Sequence, residues 1–153
     1  MNRCKVKACA SFALMLLTTT VAAEGLLLRP HTGIGELDGQ RYEHIGVRVL
    51  ADVSDIRRYG LELTRLNHGG KDHVAGIVLE QRLMGWFNMS IGTIGYFGSG
   101  ADARNYPGLV ANLGWEPKVH GSFAPFVTLR NDLLFADKRW FGAALSAGFA
   151  FRF

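Results

Sequence analysis

Cysteine is almost missing from this chain of 153 residues: Cys4 and Cys9 are its only two, and both lie in a stretch that reads as a removable export signal. Arg3, Lys5 and Lys7 open that stretch, Ala8 to Leu17 is mostly apolar, and Val21-Ala22-Ala23 offers small residues for cleavage, so residues 1–23 are expected to be cut away. The mature chain, 24–153, then holds no thiol, which excludes disulfides, thiolate metal sites and cysteine nucleophiles. Neither cysteine follows the apolar-then-small approach of a lipoprotein acceptor. A surplus of one charge is missing as well. The signal carries three of the 17 Lys and Arg and none of the 13 Asp and Glu, leaving 14 against 13, a net charge of +1. The basic pI near 9.3 is therefore mostly a property of the signal, and no nucleic-acid partner is expected. Nothing in 24–153 approaches the ~20 consecutive apolar residues of a membrane helix. The length suits one domain.

What is present is alternation. In Trp140 to Phe153, Phe141, Ala143, Leu145, Ala147, Phe149, Phe151 and Phe153 share one parity, and Gly142, Ala144, Ser146, Gly148, Ala150 and Arg152 share the other. A period of two is the mark of a strand with one greasy face. The rhythm recurs upstream. Leu26, Leu28, Pro30, Thr32 and Ile34 oppose Arg29, His31 and Gly33; Ile45, Val47 and Val49 oppose His44, Gly46 and Arg48; Leu61 and Leu63 oppose Gly60, Glu62 and Thr64. Ile77, Leu79, Gln81 and Leu83 oppose Gly76, Val78, Glu80 and Arg82, a face that Gln81 makes less clean, and Phe87, Met89 and Ile91 oppose Asn88, Ser90 and Gly92. Leu109, Leu113 and Trp115 oppose Val110, Asn112, Gly114 and Glu116, and Val127, Leu129 and Leu133 oppose Thr128, Arg130 and Asp132. About eight strands result, joined by expected connections at 36–41, 51–57, 67–72, 84–85, 98–107, 117–122 and 136–139.

A last strand ending in Phe, with Phe149 and Phe151 at every second position before Phe153, resembles the closing strand of bacterial outer-membrane β-barrels. The resemblance implies a closed antiparallel up-and-down barrel over 24–153, located in the outer membrane of a Gram-negative envelope, with membrane lipid and lipopolysaccharide around it. It also implies recognition of the carboxyl-terminal strand by the barrel-assembly machinery and a monomeric state. Closure is what pairs every backbone group in lipid. In such barrels alternate connections face outward, so 36–41, 67–72, 98–107 and 136–139 are expected at the cell surface.

A barrel of about eight strands is filled by its own side chains, so its inward charges must pair. Glu62, Glu80 and Asp132 against Arg48, Arg82 and Arg130 are the expected lumen network, a packed plug whose alternative is a narrow path for ions or small solutes. Tyr42, Tyr59, Trp86, Tyr96, Tyr106, Trp115 and Trp140 fall near strand ends, where rings favour the headgroup level.

For chemistry, the signal, the mature length and the strand number are similar to those of the lipid A 3-O-deacylase family, whose nucleophile motif is His-x-Ser-Asn. The only His-x-Ser here is His120-Gly121-Ser122, followed by Phe123. No Glu follows Glu116, so a third member would have to be Asp132 or Asp137. His120 and Ser122 are thus the candidate catalytic pair of an acyl hydrolase, set against a structural envelope role without catalysis. His68, Asp72 and His73 form a loose polar cluster without a tight metal-ligand motif, and no phosphate-cradling glycine loop opens a helix. No cofactor is expected.

Overall fold

A computed structural model describes residues 25–68, 70–98, 104–117 and 122–153. They form eight strands: β1 (Leu26–Leu37), β2 (Gln40–Ser54), β3 (Arg57–His68), β4 (Gly70–Arg82), β5 (Phe87–Phe97), β6 (Asn105–Trp115), β7 (Phe123–Phe135) and β8 (Arg139–Arg152). Each strand pairs antiparallel with its sequence neighbours, and β8 returns to β1, so the sheet is a closed up-and-down barrel.

The closing seam joins the two ends of the described chain. Leu26 and Phe153 exchange backbone hydrogen bonds of 3.3 and 2.9 Å. The β1–β8 register runs from Leu27 opposite Arg152 to Leu37 opposite Gly142, with a gap at Arg29 and Pro30. Proline brings no ladder donor, and its place on the outward parity confines the loss to that gap.

Side-chain period is what fixes the register, because a slip of one residue would turn every strand inside out. Outward positions are apolar and exposed, among them Ile45, Leu61, Leu79, Ile91, Leu109, Leu129 and Leu145, while Arg48, Glu62, Glu80, Ser90, Asn112, Arg130 and Ser146 face a buried lumen. Curvature is paid for in glycine. A Cβ at Gly60 would stand 1.8 Å from the Val49 carbonyl oxygen, and one at Gly148 would stand 2.1 Å from that of Pro30, so the neighbouring backbones approach where only hydrogen fits.

Several connections differ from their expected lengths. Strands run through most of 36–41, leaving the two-residue turn Asp38-Gly39, with φ of 49° and 80° at its two positions. Both central residues at positive φ match a type I′ hairpin turn, whose twist suits the flanking strands. Similarly, β2 reaches Ser54 and β3 begins at Arg57, so 51–57 shrinks to Asp55-Ile56 plus a register shift between Asp52 and Ser54. The reversal at 84–85 occupies 83–86, where Gly85 takes φ 61°, and β6 begins at Asn105, inside the expected loop 98–107. Two-residue connections, 38–39 and 55–56, lie at opposite ends of the barrel, and so do the seven-residue ones, 98–104 and 116–122. Connection length therefore gives no sidedness.

Candidate functional site

The lumen has three layers along its axis. At the end remote from Leu26 and Phe153 it is closed by Leu37, Tyr42, Leu66, Val74, Ile94, Tyr96 and Leu134, with Tyr106 and Trp140 packed against them. Tyr106 and Trp140 lie 5.2 Å apart between ring centroids. Four of the seven aromatics expected at the outer girdle, Tyr42, Tyr96, Tyr106 and Trp140, thus turn inward. The reason is visible in their parity: Tyr42 shares a face with His44 and Arg48, and Tyr96 with Ser90 and Ile94. Tyr59 and Trp115 do take the outward parity, at the end that carries Phe153, and Trp86 lies at the same end in the turn before β5. There Trp86 and Trp115 meet edge to face at 6.3 Å, and Phe123 stacks on Phe149 at 4.8 Å and tilts against Phe151 at 5.3 Å.

The middle layer is ionic. Arg48 donates to Glu62 through Nε at 3.0 Å and Nη2 at 2.6 Å, and Arg130 bonds the other oxygen of Glu62. Arg130 Nε also spans both oxygens of Asp132 at 2.8–2.9 Å, and the Tyr96 hydroxyl donates to Asp132 at 2.6 Å. A second cluster lies toward the chain ends. Arg29 bonds Glu80 and Glu116, and Arg58 donates to Glu80 at 2.9 Å and Asp52 at 2.7 Å. Four buried arginines thereby engage five carboxylates, with Glu62 fully buried. Breaking one such pair strands a charge in a low-dielectric interior, at a cost of about 3–5 kcal/mol.

Of the residues expected in the network, Arg48, Glu62, Arg130 and Asp132 form one cluster, and Glu80 belongs to the other. Arg82 joins neither: among the described residues no carboxylate lies within 4.0 Å of it. Arg29, Arg58, Asp52 and Glu116 complete the clusters. Arg29 and Glu116 carry inward parity in the sequence, whereas Asp52 falls in the expected link 51–57 and Arg58 directly after it, and both emerge only once β2 and β3 extend. Between the clusters, Arg29, Arg48, Asn112, Thr128, Arg130 and Ser146 help line a cavity of about 10 Å³, roughly the volume one water needs. His44 bonds Ser146 at 2.8 Å and meets His31 edge to face at 5.8 Å.

The third layer is a mouth. At the end carrying Phe153 the lumen opens into a cavity of about 250 Å³ lined by Arg58, Arg82, Arg152, Asn88, Glu116 and Ser122, with Trp86 and Phe123 at its rim.

Of the candidate catalytic residues, Ser122 and the two aspartates are not brought together. His120 lies outside the described residues, and Ser122 is exposed at the mouth. Asp137 sits in the turn between β7 and β8, at the remote end, bonded to Arg104, and Asp132 is held by Arg130 and Tyr96. Asp72 and His73 point to opposite sides of β4, the His73 side chain outward. Among the described residues no group of three or more His, Cys, Asp or Glu is placed to hold a metal ion.

An eight-stranded antiparallel up-and-down barrel with an apolar exterior and a packed ionic lumen is the class these features define. No protein-family model matches the sequence, and no curated protein matches it. Solved structures do. The amino-terminal β-barrel domain of Pseudomonas aeruginosa OprF is similar with a TM-score of 0.64 at 11% identity, over 83% of this chain and 97% of that one. Neisserial surface protein A, NspA, gives 0.62 at 11%, over 84% and 97%. The Pseudomonas aeruginosa outer membrane protein OprG gives 0.54 at 10%, over 86% and 96%. At such identities the likeness is one of fold.

Proposed function

We propose that the chain is an integral protein of the bacterial outer membrane, serving the envelope as a closed, non-catalytic barrel. The observation that carries this reading is the predominantly apolar exterior around a closed sheet: Ile45 is 64% exposed, Leu79 60% and Phe141 70%. A water-soluble monomer rarely shows so large an apolar surface, and lipid removes the penalty. The similarity in fold to OprF, NspA and OprG supports the same location.

In this reading residues 1–23 direct export and are removed, membrane lipid and lipopolysaccharide surround a monomer, and Phe149, Phe151 and Phe153 present the closing strand to the barrel-assembly machinery. Trp86, Trp115 and Phe123 then sit at the headgroup level of one leaflet. The two ion clusters and the apolar layer fill the lumen, so solutes do not cross. Hydrolysis of lipid A finds no support, since the aspartates available to a His120–Ser122 pair lie at the other end of the barrel or are already engaged.

Membrane fractionation with heat-dependent gel mobility tests the proposal. The protein is expected in the outer-membrane fraction, migrating faster unheated than boiled; a soluble periplasmic product would overturn it. Mass spectrometry of lipid A from cells making the protein is expected to show no lost acyl chain.

A further inference from the structure

The mouth at the Phe153 end holds positive charge that the lumen does not consume. Arg58, Arg82 and Arg152 take inward parity on β3, β4 and β8 and line one cavity of about 250 Å³. Arg58 is spent: its Nε is engaged by Asp52 and its Nη1 by Glu80. Glu116, the carboxylate in the cavity wall, is bonded to Arg29. For Arg82 and Arg152 there is no carboxylate within 4.0 Å among the described residues. Two guanidinium groups therefore face a common space, and against the three carboxylates and two arginines of the adjoining cluster they leave the mouth with a net charge of +1 among the described residues.

We propose that this mouth binds a phosphate group, with Arg82 and Arg152 as its cationic ligands and the Asn88 amide and Ser122 hydroxyl as neutral donors in the same wall. Guanidinium forks match the oxygens of phosphate with paired charge-assisted hydrogen bonds. A phospholipid phosphodiester carries one negative charge and free phosphate about −1.5 to −2 near pH 7, and either presents several oxygens for two guanidinium groups to share, where a single carboxylate offers two. The cavity is below the ~300–1,000 Å³ of sites for drug-sized ligands, so it suits an ion or a headgroup rather than a peptide. Leu27, Ala124 and Ala150 supply apolar wall, which concentrates the field of the two arginines at the opening.

Two sources offer this chemistry: a phosphate in solution, or the headgroup of an anionic phospholipid reached past the rim of Trp86 and Phe123. The experiment uses the full chain folded in a maltoside detergent at low ionic strength, titrated with inorganic phosphate and followed calorimetrically. Saturable one-to-one binding is expected. Binding should weaken about tenfold in Arg152→Ala, an exposed position whose loss leaves the packed lumen in place, and further in the Arg82→Ala/Arg152→Ala double variant. Arg57→Ala, on the outward face, should bind as the parent does. Repeating the titration in nanodiscs with and without phosphatidylglycerol assigns the source: weakened phosphate binding beside phosphatidylglycerol marks the headgroup, and unchanged binding marks a soluble phosphate. Absence of saturable binding in the parent protein, or equal binding in the Arg82 and Arg152 variants that keep heat-dependent mobility, overturns the proposal.

Discussion

Glu62→Gln is the perturbation to which the lumen should respond most sharply. Glu62 is fully buried and accepts from Arg48 twice, from Arg130 and from Thr64 at 3.4 Å. The amide keeps the shape, removes the charge and turns a donor toward one of the two arginines. Arg130 retains Asp132 at 2.8 Å, but Arg48 has no other carboxylate within 4.0 Å among the described residues. One guanidinium is then left buried without a counter-charge, for which a loss of about 3–5 kcal/mol is expected. Urea unfolding from lipid vesicles, followed by tryptophan fluorescence and by heat-dependent mobility, measures that loss by linear extrapolation. Because the cost lies in the stranded partner, Arg48→Met combined with Glu62→Gln should be less destabilised than the sum of the single variants, by at least about 2 kcal/mol. A loss below about 1 kcal/mol for Glu62→Gln, or strict additivity in the cycle, would refute the view that paired charges hold the barrel centre.

Other consequences are as specific. Gly148→Ala places a methyl where the Pro30 carbonyl oxygen already stands, at 2.1 Å, and should cost about 1–3 kcal/mol in the same unfolding assay. On the outward face, Leu79→Arg should cost about 2–4 kcal/mol if that position lies near the bilayer midplane. Asn131→Leu should instead stabilise by about 1–2 kcal/mol, since Asn131 is exposed among Leu129, Leu133, Ala111 and Ala143. With the remote end closed by Leu37, Leu66, Ile94 and Leu134, purified protein in planar bilayers should show no conductance steps; regular single-channel events would contradict the filled lumen.

Which side chains face in and which face out was legible because two incompatible environments, lipid-like outside and packed polar inside, force a period of two along every strand. Pro30, Arg48, Glu62 and Leu145 all sit where that period puts them. For Tyr42, Tyr96, Tyr106 and Trp140 parity outweighs position near a strand end: Tyr96 lies at an end and yet points inward to Asp132. Asp38-Gly39 is a type I′ signal already present in the sequence, and it is what makes the first connection two residues long. The partners of the ion pairs were not legible. Arg29 on β1 reaches Glu80 on β4 across the lumen, a meeting set by barrel closure and by the length of the arginine side chain rather than by spacing along the chain. Arg58 and Asp52 stayed hidden because charged residues beside a turn look like a solvated link until the strands on both sides are seen to continue.

Closure with alternating sidedness is the core of the account, and residues 24–153 contain no cysteine to interfere with its test. Single cysteines introduced one at a time from Ala143 to Ala147, spin-labelled and folded into vesicles, report exposure to dissolved oxygen against exposure to an aqueous nickel complex. Labels at 143, 145 and 147 should be open to oxygen and closed to nickel, while those at 144 and 146, inside the lumen, should be shielded from oxygen. A profile without a two-residue period, or nickel access at 143, 145 and 147, would contradict a lipid-facing closing strand and with it the barrel's place in a membrane.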